Sequence, residues 1–482
     1  MAIISLGRAF SASAAEAPDR VAITCADNSV TRGDLEKRSN RRARALAAHG
    51  VKLGDFVTIG LPNSIEFYET VLAVWKLGAV PQPVSPRLPL REREAIVELA
   101  DSPVVLGADE GTHPGRVCLP VGWTPDAALS DGELPDAISP AWKAPTSGGS
   151  TGRPKLIVAG DPGVVDTDVP LAQGMQRDGS MVIPGPLYHN APFTYSTRAL
   201  VYGNHIAVLP KFDAEATLQA IQDHQADWIL VVPTMMQRIW RLENRESFDL
   251  SSLKTLWHMA SACPVWLKTA WIEWLGGEKI WELYAGTEAQ AVTIIRGDEW
   301  MAHRGSVGRC LMGEMKVLGP DMEPVPAGEI GEIYMRSTAA SPTYRYVGAE
   351  AKVTDDGWES LGDMGSIDAE GYIYLADRRK DMILSGGANL YPAEIESAID
   401  EFPGVHSSAV IGLPDEDMGE IPHGIIHAVE PVSIDELRTF LGERLVRYKI
   451  PRTFEFVEFP VRDDAGKTRR SALRDERVPA ES

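Results

Sequence analysis

Cysteine is scarce and scattered in this chain of 482 residues: Cys25, Cys118, Cys263 and Cys310 form no C-x-x-C pair and stand beside no His cluster at zinc spacing. That argues against a disulfide scaffold or zinc ribbon and suits reduced thiols in the cytoplasm. Long apolar runs are also missing. No stretch approaches the ~20 residues a membrane span needs, and Met1 to Arg20 has no basic flank leading into an apolar segment, so no secretory signal is expected. Positive charge is in deficit. With 47 Lys and Arg against 68 Asp and Glu, the formal net charge of −21 argues against a nucleic-acid or anionic-membrane surface. Nucleotide binding needs only local positive charge and stays open. Internal repeats are absent. What remains is a soluble intracellular protein whose 44% hydrophobic content can fill a large core, at a length that suggests more than one domain.

Apolar strands alternate with helical stretches over the first half. Val21 to Cys25 and Val30-Thr31 read as a hairpin; Asp34 to His49 is a basic amphipathic helix ended by Gly50. Strands at Phe56 to Gly60, Val80 to Val84 and Val104 to Leu106 are separated by helices at Ser64 to Leu77 and Arg91 to Ala100. That order predicts an α/β fold with mostly parallel strands. Residues 107–141, rich in Pro, Gly and Asp, read as surface loop. The alternation resumes with strands at Met181 to Ile183, Ile206 to Leu209 and Trp228 to Val232, and helices at Ala214 to His224 and Met235 to Leu242. From Gly305 to Tyr374 short strands broken by Gly, Pro and Asp predict a small β-rich unit appended to the main sheets. The charge run Asp377 to Asp381 marks a boundary. An N-terminal domain of residues 1–377 is expected there to give way to a small α+β domain of residues 378–482.

The chemistry centres on Thr146-Ser147-Gly148-Gly149-Ser150-Thr151-Gly152-Arg153-Pro154-Lys155. Glycines admit a ligand close to the main chain, exposed amides and hydroxyls can donate to phosphate oxygens, and Lys155 adds a mobile positive charge. A flexible Gly/Ser linker is the bland alternative. The Arg-Pro-Lys ending and the strand-like Leu156-Ile157-Val158 count against it. It is not a Walker A loop, because no Gly-Lys-Ser/Thr closes it.

This stretch resembles the phosphate-binding signature of the adenylate-forming superfamily, which includes acyl-CoA synthetases, firefly luciferase and peptide-synthetase adenylation domains. Five further segments match the family's pattern in its order. The resemblance implies ATP, Mg²⁺ and CoA as ligands. In Pro186 to Phe193, His189 would help form the acyl pocket and gate a thiol tunnel, although taken alone it reads as a satisfied core histidine. In Tyr284-Ala285-Gly286-Thr287-Glu288, Tyr284 would pack on adenine, Thr287 contact the α-phosphate and Glu288, with Thr151, hold Mg²⁺. Ala285 replaces the family's usual glycine and would reshape the floor of the acyl pocket. Asp363, in Leu361-Gly362-Asp363-Met364-Gly365, stands at the ribose-binding acid, and Arg378 at a basic residue beside the same ribose or the phosphates. Lys380 stands at the hinge, and Gly386 and Gly387 at the loop that approaches pantetheine. Lys467, in Gly466-Lys467-Thr468-Arg469-Arg470, matches the lysine that bridges carboxylate and phosphate; a lone lysine in a basic tail is otherwise a solvated charge.

The implied reaction is carboxylate attack on the α-phosphate of Mg-ATP, then domain rotation and displacement of AMP by a thiol. The acyl pocket is expected from Tyr188 to Tyr195, Thr234 to Arg238, Trp257 to Cys263 and Ala285. Their bulk suggests an apolar, aromatic or cyclic acid, with a resemblance to bile-acid-CoA ligases, although bulky residues also serve as core. Two other readings stand beside this. One is a CoA-independent adenylating enzyme, loading a carrier protein or activating nitrite for an aryl amine as diazotases do. The other is a non-catalytic nucleotide sensor, which has no need of Lys467. Relatives of this kind are monomers or homodimers.

Overall fold

A computed structural model of the chain describes residues 3–147, 154–167, 169, 174–430, 432–463 and 466–478. Thirteen strands join in one sheet. Its parallel centre runs Val21–Cys25, His205–Val208, Ser180–Ile183, Trp228–Val231, Thr255–His258, Ile280–Ala285, with Asn28–Thr31 closing one edge as the expected hairpin. Four-residue strands such as Trp228–Val231 are buried throughout, as parallel strands covered by helices must be. A second sheet is wholly parallel: Val80–Pro83, Phe56–Ile59, Val104–Leu106, Val117–Leu119. Several of the helices between these strands begin where a side chain caps them. Ser64 accepts from the Phe67 amide to start Ile65–Lys76, and Thr31 accepts from Asp34 to start Arg32–Ala48.

Two expectations change. The segment 107–141 is not all surface loop, because Val117–Leu119 is the edge strand of the second sheet. Its polar stretch is also held down: the Arg44 guanidinium donates to the carbonyls of Ser130, Gly132 and Glu133. The β-rich unit is not a separate appendage either. Val292–Arg296, Ser306–Met312, Tyr372–Arg378, Glu359–Ile367, Gly331–Arg336 and Glu314–Leu318 continue the large sheet antiparallel from Ile280–Ala285. Nearest-neighbour pairings reach across tens of residues there, which local pattern does not reveal.

A small unit follows Arg378. Ala388–Leu390, Ile383–Ser385, Gly419–Ala428, Val405–Asp415 and Thr453–Val457 make its sheet, and helices Pro392–Asp400 and Ile434–Gly442 cover it. It has its own core, with Leu390, Ile395, Ile399, Val405 and Ile426 fully shielded. Helix Pro392–Asp400 meets the large unit at both ends. The Ala393 amide donates to Asp377 Oδ2 at 2.6 Å. At the other end Gln237 Nε2 donates to the Asp400 carbonyl at 3.3 Å, and the Arg241 guanidinium donates to the carbonyls of Asp400, Val405 and His406.

Candidate active site

The strands Ile280–Ala285 and Glu359–Ile367 carry the first cluster. Asp363 is buried; the Tyr284 hydroxyl donates to its Oδ2 at 2.8 Å, and Arg378 Nε lies 2.5 Å from its Oδ1. Register fixes this, because Asp363 and Arg378 are direct partners on antiparallel strands. Burial first, and the Asp363 carboxylate second, push the Tyr284 phenol well above its ordinary pKa, so it keeps the proton that it donates to Asp363. Gly286 follows at the strand end. A Cβ there would lie 2.4 Å from Leu361 Cδ1 and 3.0 Å from Glu288 Oε2, so a side chain would force these residues apart.

Glu288, also buried, forms the second cluster. It accepts from the Tyr346 hydroxyl at 2.6 Å, and Lys155 Nζ lies 3.7 Å from the same oxygen. Lys155 also sits 3.7 Å from the Tyr346 ring centroid. The reason is local pairing: Lys155–Ala159 runs antiparallel to Tyr344–Val347, a short strand that brings Tyr346 across. Desolvation lowers the Lys155 pKa, Glu288 opposes this, and Arg378 adds to the lowering. Thr146 pairs with Leu156 at the base of the Gly-rich loop and accepts from Gln82 Nε2 at 2.7 Å, which ties the loop's root to the second sheet. Gly148, Gly149, Ser150, Thr151 and Gly152 lie outside the described residues, as does the side chain of Ser147.

The third element comes from the small unit. The turn 463–467 is closed by the Lys467 amide donating to Asp463 Oδ1 at 2.9 Å and the Asp463 amide to the Lys467 carbonyl at 3.0 Å. A Cβ on Gly466 would lie 2.8 Å from Thr234 Oγ1 and 3.5 Å from Ser261 Oγ, so the turn seats on the large unit. Neighbouring protein lowers the Lys467 pKa by desolvation although the residue is exposed; Asp463 opposes the shift, and Arg378 adds to it. The Arg378 charge is thus felt at both Lys155 and Lys467.

His189 lies just ahead of helix Asn190–Val201, its ring centroid 4.4 Å from that of Tyr188. Pro192, in the first turn, and Met235 both approach Gly185: a Cβ there would lie 3.3 Å from Pro192 Cγ and 3.5 Å from Met235 Cε. The helix start therefore borders the helix that carries Thr234. Trp257 does not supply an exposed pocket wall. It is fully buried and stacked on Trp281 with centroids 5.4 Å apart, so its bulk belongs to the core. Among the same expected segments, Tyr188, Ala191, Tyr195, Ser261 and Ala285 keep partial exposure, as does Thr287. Gly386 and Gly387 have φ of 57° and 82°, and the Gly386 amide donates to the Met418 carbonyl at 2.8 Å, within the small unit. Lys380 lies in the single turn Arg379–Asp381 between the units.

Sequence reasoning missed Tyr346 and the residues that brace it. Thr343 Oγ1 donates to the Glu288 carbonyl at 2.7 Å, Tyr344 donates to Glu359, and Gln290 Nε2 donates to Glu359 Oε2 at 2.9 Å. The signal available was the alternation Tyr344-Arg345-Tyr346, which places two phenols on one face of a strand.

Comparison with known proteins places the geometry in context. Residues 10–345 match the AMP-binding enzyme family and residues 394–467 the AMP-binding enzyme C-terminal domain. The chain is 31% identical over 472 residues to a feruloyl-CoA synthase of an Amycolatopsis species, covering 95% of this chain and 96% of that one. It is 30% identical over 516 residues to the 3-[(3aS,4S,7aS)-7a-methyl-1,5-dioxo-octahydro-1H-inden-4-yl]propanoyl:CoA ligase of Rhodococcus jostii, covering 97% and 98%. The structure of o-succinylbenzoate CoA synthetase from Bacillus subtilis, in complex with its acyl-adenylate intermediate, superposes with a TM-score of 0.83 at 26% identity over 98% of this chain and 99% of that one.

Proposed function

Because the chain belongs to the AMP-binding enzyme family of adenylate-forming acid–CoA ligases, we propose that it adenylates an aromatic, cyclic or otherwise apolar carboxylic acid with ATP and passes the acyl group to CoA. The observation that carries this is the placement of Lys155 and Lys467 around Arg378: burial lowers the pKa of both lysines, and the Arg378 charge adds to the lowering at each. Cations held together at a mutual cost fit an anion that arrives later, and a polyphosphate is such an anion.

The roles follow from position. Asp363, held by Tyr284 and Arg378, accepts from ribose hydroxyls. Glu288, a buried carboxylate beside Lys155, would hold Mg²⁺, which would supply neutralisation of negative charge on the phosphates. Lys155 leaves the Tyr346 ring for the phosphates. Lys467, seated through Gly466 on Thr234 and Ser261, orients the carboxylate and neutralises the developing oxyanion. His189 and the start of its helix border the acid. Residues 378–482 then turn as one body about Lys380, withdrawing Lys467 and bringing Gly386 and Gly387 to the thiol's path. An aryl and a bicyclic acid in the names of the two relatives support a ring-bearing substrate.

The test is mass spectrometry of reactions containing Mg-ATP and a panel of acids, with and without CoA, and with nitrite plus an aryl amine. CoA-dependent thioester together with AMP is expected. AMP release driven by nitrite without thioester would overturn the CoA assignment and leave the nucleotide site standing.

A further inference from the structure

Lys143 lies three residues ahead of the Gly-rich loop and is 7% exposed. No carboxylate pairs with it among the described residues. Its amine instead donates to Asn190 Oδ1 and, at 2.7 Å, to Thr194 Oγ1, and it sits 4.1 Å from the Trp142 ring centroid. Burial and the nearby Arg198 hold its pKa well below the ordinary lysine value. Charged or neutral, the amine has hydrogens for both oxygens. A buried amine without a counter-ion is costly, so its retention needs a reason.

Asn190 supplies one. It is the first residue of helix Asn190–Val201, next to His189, and half-buried. Lysine can only usefully meet the oxygen of the amide, so Lys143 fixes which way that amide faces. Thr194, one turn on, lies 3.4 Å from the same oxygen and supports the orientation. The Nδ2 hydrogens are left facing away, and no described residue accepts them. The start of this helix therefore presents a fixed donor.

We propose that Asn190 is a specificity-determining residue that donates to an acceptor oxygen on the acyl group, remote from the reacting carboxylate, with Lys143 as its positioning residue. The substrate class is an oxygenated acid bearing a ring or chain carbonyl or a second carboxylate. This rests on the acid–CoA ligase reading, since the acid must lie along the start of this helix.

The experiment uses the full chain and three acids sharing one carbon skeleton: without a remote oxygen, with a ketone, and with a second carboxylate. Binding is read by calorimetry and thioester formation by kcat/KM. The wild type is expected to favour at least one oxygenated acid over the plain one by roughly tenfold or more, the worth of one well-placed hydrogen bond. Asn190→Asp keeps the shape and gives Lys143 a counter-ion, so it folds, but it replaces the donor with an acceptor; the preference should vanish. Lys143→Met frees the amide to turn and should shrink the preference, an effect that a purely structural lysine would not produce. Equal binding of all three acids by the wild type, or a preference that survives Asn190→Asp, overturns the proposal. A binding preference that Asn190→Asp removes, with no thioester from any acid, upholds the contact and refutes the CoA-ligase reading instead.

Discussion

Replacing Arg241 with alanine should separate the two half-reactions. Its guanidinium reaches out of the large unit to three consecutive-turn carbonyls of the small one, of which His406, at 2.9 Å, and Val405 are close and Asp400, at 3.4 Å, is marginal. Two good bonds from a charged donor, each worth about 1–1.5 kcal/mol net against neutral carbonyls, total about 2–3 kcal/mol. That energy favours the arrangement in which the Gly466 turn rests on Thr234 and Ser261. None of it touches the nucleotide cluster. Arg241→Ala should therefore lower the population of the adenylating arrangement by about 30- to 150-fold wherever that arrangement is not in large excess. Pyrophosphate exchange, driven by the acid, reports this half-reaction; conversion of a supplied acyl-adenylate to thioester reports the other. The first should fall by a factor approaching that range, and the second should hold or rise. Equal losses in both, or unchanged exchange together with unchanged stability, would refute the reasoning.

Lys467→Ala should abolish adenylation yet still convert a supplied acyl-adenylate with CoA; equal loss of both half-reactions would contradict domain rotation. Glu288→Gln keeps a partner for the Tyr346 hydroxyl while removing the charge, so half-saturation by Mg²⁺ should rise and adenylation fall by roughly a hundredfold or more; a simple stability loss with unchanged Mg²⁺ response would point to a structural acid. His205 is pulled down to about 4 by burial and then by His224. The unfolded chain takes up that proton from about pH 6.5 and the folded one only near 4, so stability is full above pH 6.5 and declines as pH falls through this window, by up to about 3 kcal/mol. Denaturant titrations of the wild type and His205→Gln should show the acid slope flattened in the variant.

Much of this was legible in the chain because its informative residues are bound to local pattern. The parallel centre showed itself as apolar quartets such as Trp228–Val231 between helical stretches, and the nucleotide residues sit in short Gly-bearing segments whose order is their signature. What stayed hidden was pairing over distance. Nothing in Val117–Leu119 distinguishes an edge strand from a loop amid Pro and Gly until Val104–Leu106 is laid beside it. Nothing in Tyr346 names Glu288, 58 positions earlier, as its partner. Trp257 shows the converse, since bulk in an expected pocket segment turned out to be fully buried and stacked on the partly buried Trp281. Asn190 sits in a family-like segment but had no role assigned to it, and Lys143 lies outside all of them; only their meeting in space gives either a role.

Helix Pro392–Asp400 is gripped end-on: a carboxylate from Asp377 at its amino end, and donors from Gln237 and Arg241 at its carbonyl end. Each pole of the helix dipole thus faces the matching charge from the larger body. Screening weakens such a grip directly. Ionic strength should then set how readily this enzyme exchanges one working posture for the other.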